Sequence, residues 1–208
     1  MLEQLPDPMY DSPLLLETER IFLAIPGPDW APALASYRAR NAEHLRDAGP
    51  LPTLEVEAAA ERLRRAQNQF HQGLSVALLL FIKETPEVLI GSLTFDRIVR
   101  GPMRGVGMGY GLDHEHEGHG FMSEAATRAI AFMFEEWGMH RIEADYQPAN
   151  QRSGRLLRRL GFAVEGYSRD YLYINDAWRD HVKTALNRGD QKPPPERDPV
   201  TGEPFPPR

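Results

Sequence analysis

Hydrophobic residues recur along this chain at spacings that predict strands and helices in alternation. A first strand is predicted over residues 14–25 and a helix over residues 30–45. A second helix is expected after Thr53, because a threonine side chain can accept a hydrogen bond from a free N–H group at the start of a helix. The apolar residues of this second helix follow the spacing of one helix face: Val56, Ala59, Ala60, Leu63, Ala66 and Phe70.

Two strands are predicted next, over residues 75–83 and 88–98. The connection between them, residues 84–87, is short enough for an antiparallel hairpin. Nearly every position of the first of these strands is apolar, which indicates burial on both of its faces.

The strand predicted over residues 106–112 has an unusual pattern. Bulky residues alternate with Gly107, Gly109 and Gly111, so one face of the strand is bare. Glycines inside a strand indicate either the close approach of another group to the backbone or a loose, bulged strand. This segment alone leaves both interpretations open.

Residues 113–122 connect this strand to a helix and contain Gly118 and Gly120. The free N–H groups and the dipole at a helix start favour an anion, and glycines let a phosphate reach the main chain. Neither of the two common glycine-rich nucleotide fingerprints is present. The following helix has an apolar face formed by Ala126, Ile130, Met133, Phe134 and Trp137.

The same loop is rich in potential metal ligands. His114, His116 and His119 alternate with Glu115 and Glu117, and histidine is a suitable ligand for zinc or nickel. The chain must turn here, however, and no obvious outer partners would orient the imidazoles. We therefore expect no metal at this loop.

A strand over residues 141–146 leads into a further helix, whose residues Leu156, Leu157 and Leu160 are predicted to face inward. Asn150 is a suitable N-cap and Ser153 lies in the first turn, while Gly161 suits the position just after the helix end. Capping alone accounts for Asn150 without any function.

Composition narrows the class of protein. The sequence has 208 residues and no cysteine, which excludes disulfides, thiolate metal sites and cysteine nucleophiles. Together with the lack of a secretory signal pattern, this favours a cytoplasmic location. No apolar run approaches the roughly 20 residues of a membrane span. The formal net charge of −6 argues against direct nucleic-acid binding, although an acidic protein can attract a cationic partner.

The predicted organisation is an N-terminal extension at 1–13, a folded domain at 14–188 and a proline-rich flexible tail at 189–208. The tail is predicted because 7 of the last 20 residues are proline. Such a segment has little apolar surface to bury. The sequence leaves both a monomer and a homodimer open.

Several motifs together resemble those of a known family. They are the Gly118-His119-Gly120 loop before a helix and the segments at 16–23, 150–162 and 166–182. In this order they resemble the GNAT superfamily of acetyltransferases, and within it the ribosomal-protein alanine N-acetyltransferases.

The resemblance implies an α/β (α+β) GNAT fold, with a central mixed, mostly antiparallel sheet that is splayed in the middle and has helices on both faces. It also implies acetyl-CoA as the acetyl donor. The residues expected to bind it are Tyr110, Gly111, Leu112, Gly118, His119, Gly120, Phe121, Met122, Asn150, Ser153 and Leu156.

One position departs from the family pattern. Many members of the superfamily carry Gln or Arg three residues before the first loop glycine, where this chain has Glu115. Glu115 and Glu117 add negative charge beside the expected diphosphate site. Weak CoA binding would follow unless both carboxylates turn away from it.

Acetyl transfer requires a neutral amine, a stabilised oxyanion and a proton for the departing thiolate. Asp170 is the predicted catalytic base, since related enzymes place a carboxylate in this segment, and Ser153 is the predicted proton donor to sulfur. Tyr110, Tyr146 and Tyr171 are possible replacements for them. Backbone N–H groups of the glycine-rich strand are expected to hold the oxyanion.

Three functions from different classes remain open. The leading prediction is acetylation of a protein N-terminus, with alanine or serine as the first residue, as in a ribosomal protein. The alternatives are acetylation of a small amine on the same scaffold and a non-catalytic acyl-CoA-binding module. Fold alone does not identify the acceptor.

Overall fold

The computed structural model describes residues 15–25, 27–46 and 55–189. The predicted extension at 1–13, the predicted N-cap Thr53 and residues 190–208 of the predicted tail lie outside these ranges. Within the described residues, no helix is long and apolar enough to cross a membrane.

The structure contains eight strands and four α-helices within the described residues. They are β1 (Leu15–Glu17), β2 (Ile21–Ala24), α1 (Ala31–Arg40), α2 (Val56–His71), β3 (Val76–Ile82), β4 (Thr85–Val99), β5 (Gly105–Leu112), α3 (Phe121–Glu135), β6 (Arg141–Tyr146), α4 (Gln151–Arg159), β7 (Ala163–Ile174) and β8 (Ala177–Asn187).

All eight strands form one sheet in the order β1-β2-β3-β4-β5-β6-β8-β7. Only β5 and β6 pair in parallel, and every other neighbouring pair is antiparallel. The predicted mixed, mostly antiparallel sheet is confirmed.

The prediction of one strand over 14–25 is wrong. Two short strands, β1 and β2, occupy this range and pair antiparallel, with Leu16 opposite Leu23. Thr18 makes the turn between them: its backbone N–H donates to the carbonyl of Ile21 at 3.0 Å, and its hydroxyl accepts from the N–H of Ile21 at 3.0 Å. A side chain that closes a local turn in this way interrupts an extended strand.

Three element boundaries also differ from the predictions. The first helix ends at Arg40, before the predicted end at residue 45. The second begins at Val56 without a side-chain cap. The β3–β4 hairpin turns at residues 83–84, because Thr85 already pairs with Ile82.

The sheet buries apolar residues on both faces. Leu78 and Leu80 of β3 belong to one core with Ile130 of α3, whereas Leu79 and Phe81 belong to a second core with α1 and α2. Successive residues of a strand point to opposite faces, so this division places helices on both sides of the sheet. The predicted two-sided burial of β3 is confirmed.

The sheet is splayed between its two middle strands. The β5–β6 ladder pairs Gly105, Val106 and Gly107 with 141–143 and ends there. Beyond that point β5 continues along β4 as far as Leu112, while β6 continues along β8. The two strands therefore separate into a wedge, and the predicted splay is confirmed.

Candidate functional site

A cleft of about 830 Å³ opens at this wedge. Its lining includes ten of the eleven residues predicted to bind the acetyl donor: Tyr110, Gly111 and Leu112 of β5, Gly118, Gly120, Phe121 and Met122 at the start of α3, and Asn150, Ser153 and Leu156 at the start of α4. His119 is exposed and is not among the lining residues. The structure thus brings into one cleft residues that lie up to 46 positions apart in the sequence (Tyr110 to Leu156).

The bare face of β5 meets different surroundings along its length. A Cβ at Gly107 would overlap the guanidinium of Arg97, and one at Gly111 would lie 3.5 Å from the Tyr37 hydroxyl oxygen. Among the residues that the structure describes, no atom lies within 4 Å of where a Cβ at Gly109 would be. Close approach to the backbone is therefore realised by the chain's own Arg97 at Gly107, whereas a side chain at Gly111 would make only ordinary contacts and the surface at Gly109 is open.

The start of α3 has the geometry of an anion site. Gly120 is its N-cap residue, in the left-handed region with φ of 82°, and no side chain caps the helix. Gly118 has a φ of 81°. Because these conformations are strained for residues with a Cβ, glycine is needed at both positions. Phe121, Met122 and Ser123 line the cleft, so the uncapped end of the helix faces it.

The two acidic residues of the loop lie in different places. The Glu115 side chain is exposed and does not line the cleft. Glu117 does line it, but its carboxylate is ion-paired with Arg152 and lies 3.0 Å from Nε2 of His44. Burial and the nearby Arg152 charge lower the pKa of His44. The negative charge of Glu117 is therefore countered by Arg152.

A buried carboxylate fixes the beginning of the loop. Asp113 is completely buried and accepts hydrogen bonds from Arg40 Nε at 2.7 Å, Asn41 Nδ2 at 3.0 Å and the N–H of Glu115 at 3.0 Å. Burial raises its pKa, but these hydrogen bonds outweigh burial and lower the pKa to about 2. The end of β5 is thereby tied to the end of α1.

Two histidines of the loop lie beside the buried carboxylate of Asp113. The Nδ1 atoms of His114 and His116 each lie 3.6 Å from Oδ1 of Asp113, and His114 Nδ1 also lies 3.2 Å from Asn41 Oδ1. In the part of the chain that the structure describes, no three His, Asp or Glu side chains form a group that could hold a metal ion.

A hydrogen bond crosses the wedge between β5 and α4. The Tyr110 hydroxyl lies 2.6 Å from Ser153 Oγ. Asn150 is the N-cap of α4, as predicted, and its side-chain oxygen accepts from the N–H of Ser153 at 3.0 Å. Because capping uses only the backbone of Ser153, its hydroxyl is available for chemistry. Burial raises the pKa of Tyr110 to about 12, so this phenol keeps its proton at neutral pH.

The structure does not bring Asp170 into the cleft lining. Asp170 lies on β7, exposed and with a φ of 47°, and its N–H donates to Asp180 Oδ1 at 2.9 Å. Of the tyrosines considered with it, Tyr171 packs against His181 and the Lys183 ammonium, and Tyr146 occupies the space next to Gly154.

Sequence reasoning missed several residues of the cleft. His44 and Leu45 reach it from the segment after α1, and no spacing in the sequence connects them with the glycine loop. The three lining arginines of α4 did leave a signal, since they recur at three- and four-residue spacing on one helix face: Arg152, Arg155 and Arg159.

Comparisons with known proteins identify the family of this chain. Residues 20–163 match the family model of the acetyltransferase (GNAT) domain. The ribosomal protein uS5 alanine N-acetyltransferase of Escherichia coli (strain K12) is 39% identical over 181 residues, which cover 86% of this chain and 93% of that protein. The crystal structure of the ribosomal-protein-S5-alanine acetyltransferase of Vibrio fischeri is similar with a TM-score of 0.80 at 32% identity, covering 86% of this chain and 100% of that one.

A more distant structure shares the fold. Mycobacterium smegmatis RimJ in complex with CoA-disulfide has a TM-score of 0.75 at 23% identity, covering 83% of this chain and 85% of that chain. The matched family range contains both the glycine loop and the α4 motif that carried the resemblance in the sequence. On this match and these identities, the chain belongs to the GNAT acetyltransferase family.

Proposed function

We propose that this acetyl-CoA-dependent N-acetyltransferase acetylates the N-terminal amino group of a protein, with the alanine or serine N-terminus of a ribosomal protein as its acceptor. The observation that carries the proposal is the 39% identity to a ribosomal protein uS5 alanine N-acetyltransferase, which extends over 93% of that relative. A ribosomal acceptor would place the chain in the cytoplasm.

The wedge supports the assignment of the donor site. Acetyl-CoA, when bound, supplies the thioester whose carbonyl carbon the amine attacks. Beyond Gly107 the edge of β5 that faces β6 has left its ladder, so its backbone groups can bind an extended amide-containing arm as a further strand would. The uncapped start of α3 suits the diphosphate, and Arg155 and Arg159 add positive charge to the same cleft, whereas Arg152 is paired with Glu117.

The Tyr110–Ser153 pair supports a route for the proton. A departing thiolate must be protonated, and the hydroxyls of this pair lie 2.6 Å apart inside the cleft. Because the pKa of Tyr110 is raised to about 12, the pair enters the reaction fully protonated. We propose that Ser153 donates its proton to sulfur and that Tyr110 replenishes it.

We keep Asp170 as the proposed general base. An α-amino group has a pKa of about 7.7–8.0, so its deprotonation demands little of a base. A carboxylate can accept that proton directly or through one water molecule. The support for Asp170 is its position in the motif at 166–182 and its exposure on β7, where an arriving N-terminus can reach it.

The proposal is tested with a thiol-release assay. Purified chain and acetyl-CoA are offered three acceptors: a peptide that begins with alanine and carries a ribosomal protein N-terminal sequence, the same peptide with its amino group already acetylated, and a panel of small amines. We expect CoA release with the free peptide alone. Turnover of small amines only would identify the small-amine enzyme, and binding of CoA without turnover would identify the non-catalytic module.

A further inference from the structure

The motif at 16–23 contributed to the family resemblance without a role for its polar residues, and the structure supplies one. The turn between β1 and β2 brings Thr18 and Arg20 to the first turn of α3, more than 100 residues later in the chain. There they meet Glu124, the one acidic residue in that turn.

Glu124 receives a dense set of hydrogen bonds. Its Oε1 accepts from the Thr18 hydroxyl at 2.5 Å and from the N–H of Arg20 at 2.9 Å, and its Oε2 accepts from Arg20 Nε at 2.7 Å. Burial raises the pKa of Glu124, but these bonds outweigh burial and leave the pKa below its usual value. The Glu124 carboxylate is held ionised and turned towards the β1–β2 turn.

Arg20 also contacts the glycine loop itself. A second nitrogen of its guanidinium donates to the carbonyl of His119 at 3.1 Å, and the guanidinium carbon lies 4.6 Å from the centre of the Phe121 ring. Arg20 is not among the residues that line the cleft. Its contacts therefore position the loop from outside.

The position of Glu124 gives these contacts an electrostatic consequence. A free carboxylate in the first turn of a helix is attracted by the uncapped N–H groups and the positive end of the dipole. These are the groups that we assign to the diphosphate of the acetyl donor, so a free Glu124 would compete with that ligand.

We propose that Thr18 and Arg20 are positioning residues for donor binding: they hold Glu124 away from the start of α3 and fix the carbonyl of His119, which keeps the anion site open. This inference rests on the proposed function of the cleft. It makes a contribution to CoA affinity depend on a turn whose residues Thr18 and Arg20 do not line the cleft.

The test measures CoA binding by titration calorimetry together with the KM for acetyl-CoA and for the acceptor peptide. We expect Arg20→Ala to raise the Kd for CoA and the KM for acetyl-CoA by about tenfold, which corresponds to a loss of about 1.4 kcal/mol of binding free energy. The acceptor KM, and kcat at saturating acetyl-CoA, should stay within about twofold. Thr18→Val should act in the same direction, and Thr18→Ser, which keeps the hydroxyl, should restore binding.

Removing the Glu124 carboxylate distinguishes the positioning role of Arg20 from direct binding of phosphate by Arg20. The double variant Arg20→Ala/Glu124→Gln should recover CoA affinity to within about threefold of the wild type, because the competing charge is gone and only the contact with the His119 carbonyl is still missing. Arg64→Ala, which breaks an exposed ion pair with Glu61 on α2, is the matched control and should leave every constant unchanged.

Two results would overturn the inference. One is unchanged CoA affinity in both Arg20→Ala and Thr18→Val, with the wild type binding normally. The other is a double variant that binds as weakly as Arg20→Ala. If the wild-type chain itself does not bind CoA, the proposed function fails and this inference fails with it.

Discussion

The cleft and the β7–β8 hairpin differ in how their side chains are held. In the cleft, polar groups are joined across elements by hydrogen bonds or ion pairs, as in Tyr110 with Ser153 and Glu117 with Arg152. The hairpin instead exposes large apolar side chains: Val164, Tyr167, Leu172, Tyr173 and Trp178. Preorganised groups suit a donor of constant structure, whereas an open surface suits an acceptor that arrives as part of another protein.

The largest effect on catalysis is expected from a substitution in the β7–β8 hairpin, at the proposed general base Asp170. Asp170→Asn should lower kcat/KM for the acceptor peptide by roughly 10²–10⁴-fold, because general bases contribute about that much. Asp176→Asn is the matched control, since Asp176 is also an exposed aspartate of this hairpin with a positive φ, of 57°. A loss of tenfold or less in Asp170→Asn would remove Asp170 from the mechanism and confine catalysis to the cleft.

The next effect tests the proton route inside the cleft. Ser153→Ala and Tyr110→Phe should each lower kcat by about 10²-fold, while CoA affinity stays nearly constant. Because the two hydroxyls act in sequence, the double variant should be about as slow as the slower single variant. Tyr173→Phe, which removes the hydroxyl of an exposed tyrosine outside the cleft lining, serves as the control. If the fold-losses in kcat of the two single variants multiply in the double variant, the two groups act separately.

The sequence predicted well those features of the fold and the cleft that have a regular local pattern. The apolar face of α2 (except Val56, which is 46% exposed), the two-sided burial of β3 and the Asn150 cap were visible because each depends on residues only a few positions apart. The hydrogen bonds of Arg20 with Glu124 and of Arg40 with Asp113 join residues that lie 104 and 73 positions apart. No local spacing in the sequence indicates such contacts. The β1–β2 turn was missed because continuous apolar runs, residues 14–16 and 21–25, flank the short polar segment that contains Thr18.

A smaller effect concerns the stability of the cleft region. The pKa of Asp113 is depressed to about 2, so its ionised form stabilises the folded state above the unfolded pKa of about 3.9. We expect Asp113→Asn to lower the free energy of unfolding by roughly 2 kcal/mol at pH 7. The difference from the wild type should shrink as the pH falls from about 4 towards about 2, with about half of it left at pH 3.

Urea unfolding of both proteins between pH 7 and pH 3 measures this difference. Glu61→Gln removes an exposed carboxylate, 60% accessible and ion-paired with Arg64, and should shift the free energy of unfolding by no more than about 0.5 kcal/mol. A gap between the wild type and Asp113→Asn that stays constant over the whole pH range would mean that Asp113 is not held ionised by Arg40 and Asn41.

The smallest effect is expected from the open surface of the hairpin. Trp178 and Tyr173 are 60% and 57% exposed and face each other edge to face, with ring centres 5.5 Å apart. The hairpin turn lies beside the segment that lines the cleft, since Asn175 Nδ2 donates to the carbonyl of Arg46 at 2.9 Å. Trp178→Ala should therefore raise the KM for the acceptor peptide by about fivefold, corresponding to about 1 kcal/mol of lost contact.

The affinity for CoA should not change in Trp178→Ala, because no residue of the hairpin lines the cleft. Val164→Ala removes an equally exposed apolar side chain, 65% accessible, from the other end of β7 and provides the control. If both variants raise the acceptor KM alike, the whole exposed strand contacts the acceptor. If neither does, the exposed aromatic pair plays no part in acceptor binding, and the contrast between a preformed donor cleft and an open acceptor surface no longer holds for this hairpin.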